Sequence, residues 1–328
     1  MTEAFPWVPG RVGAWLAGRL GDGPDGLRDT VPDGFDVVIR ILPPFSRDRP
    51  ETGTFADWET QVASADWDSA PELLTESVSW ADTAAALGRD LEDVPRSWDL
   101  LGAAYGEAND ALAADGWRYS APREGTLPPE LFTRVLGVLA RQTSTPDTGV
   151  AGVWEGYGGL VSAQGVGWFF GVPDPPRWIP RPLLGLGLRV MSHVLSFRER
   201  RRHFGFPSAV RALFFPCVSQ PPGSGVLSRQ AARGERLSLP YREYVCFAVG
   251  PRALAAADWS ARAPWIPEVE RGDPQSPNIV WPEGREWVLV SEIDFDSTLV
   301  ACSAACAGAL LSEPGIEAHR VWRDTALF

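Results

Sequence analysis

The sequence predicts an α+β fold: a mixed β-sheet with packed helices, carrying a Pro/Arg-rich insertion in the middle of the chain. Three observations predict it. With 328 residues, 45% of them hydrophobic and 22% charged, the chain folds and builds a core that needs no staples. Apolar runs bounded by Pro and Gly alternate with helical periodicity, but without the rhythm of a doubly wound parallel sheet. From 172 to 236 that patterning gives way to Pro, Arg, Gly and Ser. The chain therefore divides into an N-terminal α/β part (1–171), the insertion (172–236) and a C-terminal α/β part (237–328) that shares the first part's core.

The elements follow in order. Residues 9–20 suit a short helix, stopped by the turn-rich GDGPDG. GFDVVIRIL (34–42) reads as a buried strand closed by Pro43 and Pro44, with a polar, Trp-dotted connector after it. Ser79 and Asp82 are spaced as a capping box for a helix that stops at Gly88. The clearest helix spans 126–142: two prolines lie in its first turn, and Leu131, Val135, Leu136 and Leu139 share a face. Val150 to Val161 is a strand broken by glycines. Within the insertion, 183–203 reads as an amphipathic basic helix. Residues 241–250 form a strand, followed by a short helix over 251–258. The chain ends in a strand (286–293), a second strand or continuation (298–302), a helix (303–313) and a last strand (316–322).

Composition excludes several chemistries. All 30 Lys/Arg positions are Arg, so no Schiff base or lysine-dependent phosphate loop is available. The net charge of −12 repels nucleic acid. Charge is also unevenly spread. Fourteen acids face Arg89 and Arg96 between 57 and 115, whereas eight Arg face Glu199 alone between 177 and 211. Four cysteines are too few for a disulfide framework at this length. The N-terminus lacks a signal layout and no apolar run is long enough to span a bilayer, so the expected location is the cytoplasm.

The tract VLVSEIDFDSTLVACS (288–303) spells the nucleophile motif of haloacid-dehalogenase-type phosphotransferases at Asp294 and Asp296. That chemistry also needs a second strand's Ser or Thr, a charge-neutralising base and further Mg²⁺-holding acids. Only 32 residues follow Asp296, so the motif stands without its context. If the strand continues through it, Glu292, Asp294 and Asp296 alternate onto one face within ~13 Å and would hold a divalent cation. The plainer reading is a solvated face, or acids paired with Arg242 or Arg285. Cys302 and Cys306, with His319, suggest zinc; small core residues are the plainer reading there too. The 15 tryptophans offer anchors for a carbohydrate or peptide, although many must be core. In the basic segment, Arg198, Arg200, Arg201 and Arg202 trail an apolar stripe. They would complement a helix dipole or contact an unknown protein partner with an acidic surface, or an anionic membrane surface.

Four stretches together, GFDVVIRILPP, SWADTAAALGR, LPYREYVCFAVGP and QSPNIVWPEGREWVLVSEIDFDSTLV, resemble a family of uncharacterised proteins from high-GC bacteria. The resemblance covers both ends of the chain and skips the middle. It implies an architecture and no catalytic residues.

The expectation is a cytoplasmic, non-enzymatic interaction or accessory module that carries no cofactor beyond a divalent cation at the acidic tract. The alternative is a divalent-metal-dependent hydrolase or phosphotransferase using the Glu292, Asp294 and Asp296 face. A third class is a small-ligand binder lined by tryptophans.

Overall fold

The computed structural model describes residues 4–21, 27–63, 72–91, 96–103, 109–162, 222–267, 273–322 and 325. The basic segment with Arg198, Arg200, Arg201 and Arg202 lies outside them, as does most of the insertion. The architecture is α+β.

The chain opens with β1 (Trp7–Val8), a 3-10 turn (Gly10–Gly13) and α1 (Ala14–Ala17), where the sequence suggests one helix. Helix α2 (Leu27–Thr30) leads into β2 (Val37–Ile41), whose five residues are all buried. Beyond Pro44 the expected connector is instead a folded unit. It comprises β3 (Phe45–Pro50), α3 (Phe55–Ala63), β4 (Leu73–Val78), α4 (Trp80–Ala86), α5 (Ser97–Leu101), β5 (Asp110–Leu112) and β6 (Arg118–Ser120). Its strands pair in the order β4-β3-β6-β5. They escape apolar-alternation rules because charge pairs join them: Arg47 to Glu76 across β3 and β4, and Arg118 to Asp48 across β6 and β3.

Helix α4 starts as the capping box requires. Ser79 Oγ accepts the Asp82 N–H at 3.0 Å and donates to its carboxylate at 2.7 Å. Helix α6 (Pro129–Ala140) has proline in its first turn and buries Leu131, Phe132, Val135, Leu136, Val138 and Leu139. Burying each such large side chain stabilises by about 1.5–3 kcal/mol. Strand β7 (Gly149–Trp154) precedes the insertion. Helix α7 (Arg229–Arg233) lies near the insertion's end, and after it come β8 (Leu237–Leu239), β9 (Arg242–Ala248), α8 (Pro251–Leu254) and α9 (Trp259–Arg262). The chain closes with β10 (Ile279–Pro282), β11 (Val288–Val290), β12 (Thr298–Cys302), α10 (Ala304–Ser312) and β13 (Ala318–Val321).

The large sheet has nine strands in the order β1-β9-β7-β10-β11-β12-β2-β13, with β8 also on β9. Every ladder among the described residues is antiparallel. Strand β2, from the first fifty residues, inserts between β12 and β13, pairing Ile39 with Val300 and with Arg320. Alternation then sorts side chains by face. Val37, Ile39, Val153, Phe247, Leu289 and Val300 pack with α6 and α10 in the main core. Val38, Leu299 and Ala301 point the other way, where α2 supplies Leu27; Cys246, Ile279 and Val288 do the same beneath Leu16 of α1. The small unit has a core of its own around Phe45, Trp80, Leu100 and Tyr119.

Candidate functional site

The acidic tract is a hairpin turn. Strand β11 ends at Val290 and β12 begins at Thr298, with Leu289 opposite Val300. The strand does not continue through Glu292, Asp294 and Asp296, so the shared face on which a metal site depends is missing. The turn closes locally through Phe295 N–H to Glu292 C=O at 3.0 Å. It is anchored by Phe295 C=O, which accepts the Gly125 N–H at 3.0 Å. Gly125 has φ +70°, and a Cβ there would come within 2.8 Å of Ile293 Cα, so the approach needs glycine.

The three acids separate. Glu292 and Asp294 share Arg242 of β9, at 2.9 Å from Nε and 2.6 Å from Nη2. Arg242 is one of the two partners that the sequence suggests for these acids. Asp296 turns inward to Arg40 of β2, where Nη2 meets Oδ1 at 2.8 Å and Nε donates to Ser297 Oγ at 2.8 Å. The other Asp296 oxygen accepts the Ser97 N–H at 2.9 Å, at the first residue of α5. A negative charge there suits the helix N-terminus.

Electrostatics follows from this wiring. Burial pulls the Arg40 guanidinium below its ordinary value, while Asp296 opposes the shift. Burial pushes the Glu292 carboxyl up, against the pull of Arg242. On the adjoining loop, desolvation raises the Glu124 carboxyl, and the charges of Asp294 and Asp296 raise it further. A cation seated among these acids would displace or oppose two guanidinium groups. Among the described residues no group of three or more His, Cys, Asp or Glu is placed to hold a metal ion.

The zinc set is also divided. Cys302 lies in the main core, whereas His319 is opposite Arg40 in the β2–β13 ladder and so belongs to the reverse face of the sheet. The glycine-rich stretch after β7 serves a buried polar knot. Asn278 donates to Tyr157 Oη at 2.8 Å and to Ser291 C=O at 3.1 Å, and its Oδ1 accepts the Trp154 N–H at 2.9 Å. Burial holds the Tyr157 hydroxyl up at about 12 despite the bond from Asn278. Of the tryptophans, Trp80, Trp259 and Trp287 are fully buried. Trp154 stacks edge-on to Tyr157 at 5.2 Å.

What sequence reasoning missed is the junction between the two sheets. Besides Asp296 on α5, Glu317 receives the Trp80 N–H at 2.9 Å and the Ala81 N–H at 3.3 Å, at the start of α4. Two carboxylates from the C-terminal part thus hold α4 and α5 of the small unit. The available signal was Arg40, a lone charge inside an apolar strand.

At the far end of the small unit lies an open groove of about 480 Å³, between the turn after β3 and the turn after β5. Arg49, Phe55 and Leu112 line it with Glu51, Thr54 and Asp115. Leu112 is 62% exposed. Arg49 lies over Trp117 at 4.5 Å and forms no ion pair among the described residues. No helix among the described residues is long and apolar enough to cross a membrane. Compared with known family models, curated proteins and solved structures, the chain gives no match.

Proposed function

We propose that the protein is a cytoplasmic, non-enzymatic interaction or accessory module. The observation that supports this reading is the groove on the small unit. Its Arg49, held over Trp117, is the kind of side chain that anchors protein partners, and the exposed Leu112 adds apolar surface beside it. The acids of the Glu292–Asp296 turn, by contrast, are engaged within the chain, and Asp296 fixes the unit that carries the groove. On this reading the turn is architectural and the partner is a protein. Arg198, Arg200, Arg201 and Arg202 are a second proposed contact, toward an acidic surface.

The test is cross-linking of the full chain in its host, followed by binding of any captured protein to purified wild type and to a Leu112→Asp, Arg49→Glu double variant. At least a tenfold loss of affinity, with thermal stability unchanged, is expected. Metal-dependent hydrolysis of phosphoesters that is abolished by Asp294→Asn would overturn the reading in favour of an enzyme.

A further inference from the structure

Two of the cysteines are neighbours across a strand-to-helix turn. Cys302 is the last residue of β12 and Cys306 lies in the first turn of α10; both are buried in the main core. The turn is fixed by Ser303, whose Oγ accepts the Cys306 N–H at 3.2 Å. Each thiol perturbs the other's ionisation across this turn. The residues between them, Ser303, Ala304 and Ala305, are all exposed, so one helical turn separates the sulfurs from solvent. Opening that single capped turn admits a small oxidant, because helix ends fray at little cost.

Cys246 provides the contrast. It is equally buried, but it sits within β9, paired to Val8 on one side and Gly152 on the other. Burial pushes its thiol up to about 12. The pair behaves differently: the interaction with Cys302 holds the Cys306 thiol below its ordinary value, and the same interaction, with burial, holds the Cys302 thiol above. The helix N-terminus favours the Cys306 thiolate as well.

We propose that Cys302 and Cys306 are a redox-modification site, closed to an intramolecular disulfide by hydroperoxides. The Cys306 thiolate attacks hydrogen peroxide: an S–O bond forms, the O–O bond breaks, and the departing hydroxide takes a proton to become water. The Cys302 sulfur then attacks the Cys306 sulfenic acid. The S–S bond forms, the S–O bond breaks, and hydroxide leaves with the Cys302 proton as a second water. The two thiols lose two electrons and the peroxide gains them. In a reducing compartment such a bond is transient and reversible, as suits a sensor and not a staple.

The experiment exposes the full-length protein to hydrogen peroxide and reads each cysteine by peptide mass. The expected result is loss of two hydrogens within the peptide holding Cys302 and Cys306, restored by dithiothreitol, while Cys246 stays reduced. A Cys306→Ser variant, or Cys306→Ala should the first fail to fold, forms no cross-link. The proposal is overturned if Cys302 and Cys306 remain thiols throughout. It is equally overturned if Cys246 oxidises at the same rate, because global unfolding would then explain the reaction.

Discussion

Arg40 and Asp296 form an ion pair at 2.8 Å with 1% and 4% of their side chains exposed, and the free Asp296 oxygen receives the backbone of Ser97. The pair joins β2, an internal strand of the large sheet, to a helix of the small unit. Removing one member withdraws a charge partner from the other inside the protein, and breaking a buried pair in this way costs about 3–5 kcal/mol. Asp296→Asn should therefore lower the urea midpoint steeply, and loss of the small unit's structure should accompany it. An unchanged midpoint would refute the structural role.

Asp294 provides the matched control. It lies two residues away but is 52% exposed, and its partner Arg242 retains Glu292. An exposed pair of this kind is worth at most about 1 kcal/mol. Asp294→Asn should shift stability only slightly, and turnover of aryl phosphates should remain at background with or without Mg²⁺.

Gly125 sets how closely the loop before α6 approaches the acidic turn. Gly125→Ala places a Cβ within 2.8 Å of Ile293 Cα at a φ of +70°. Strain of this kind costs about 1–3 kcal/mol. Chemical denaturation of the variant should show that loss, and a stability equal to wild type would mean that the turn moves freely.

Glu317 accepts the first two N–H groups of α4. Replacing a group that caps a helix start costs about 1 kcal/mol. Glu317→Ala should raise amide exchange in α4 first, leaving the β9–β7 ladder protected. Uniform exchange across both would place the contact outside the junction.

Acid stability should carry the signature of Glu286. Desolvation pushes this carboxyl up, but bonds from Ser144, through both its hydroxyl and its backbone N–H, and from Thr143 outweigh it and hold the group at about 2, against an ordinary 4.5. A folded-state value below the unfolded one stabilises above the unfolded pKa, and that gain fades as pH falls through the folded pKa. The window is therefore pH 4.5 down to about 2. Thermal melts of Glu286→Gln across it should show a shallower acid dependence than wild type; parallel curves would count against this assignment.

The sequence by itself determined many of the local elements. The apolar run ending at Ile41, the capping box at Ser79, the proline-started helix carrying Leu131 and Leu139, and the strand holding Cys246 each depend on neighbours a few residues away. The small sheet was hidden because Arg47, Asp48 and Arg118 fill strand positions, and their pairing partners are 29 and 70 residues distant. Only the tertiary structure decided what Asp296 does. Its chemistry depends on a guanidinium 256 residues earlier in the chain, brought to it because β2 inserts between β12 and β13. A local motif specifies which groups are present, whereas charge neutralisation depends on distance in space, which the order of strands across the sheet sets.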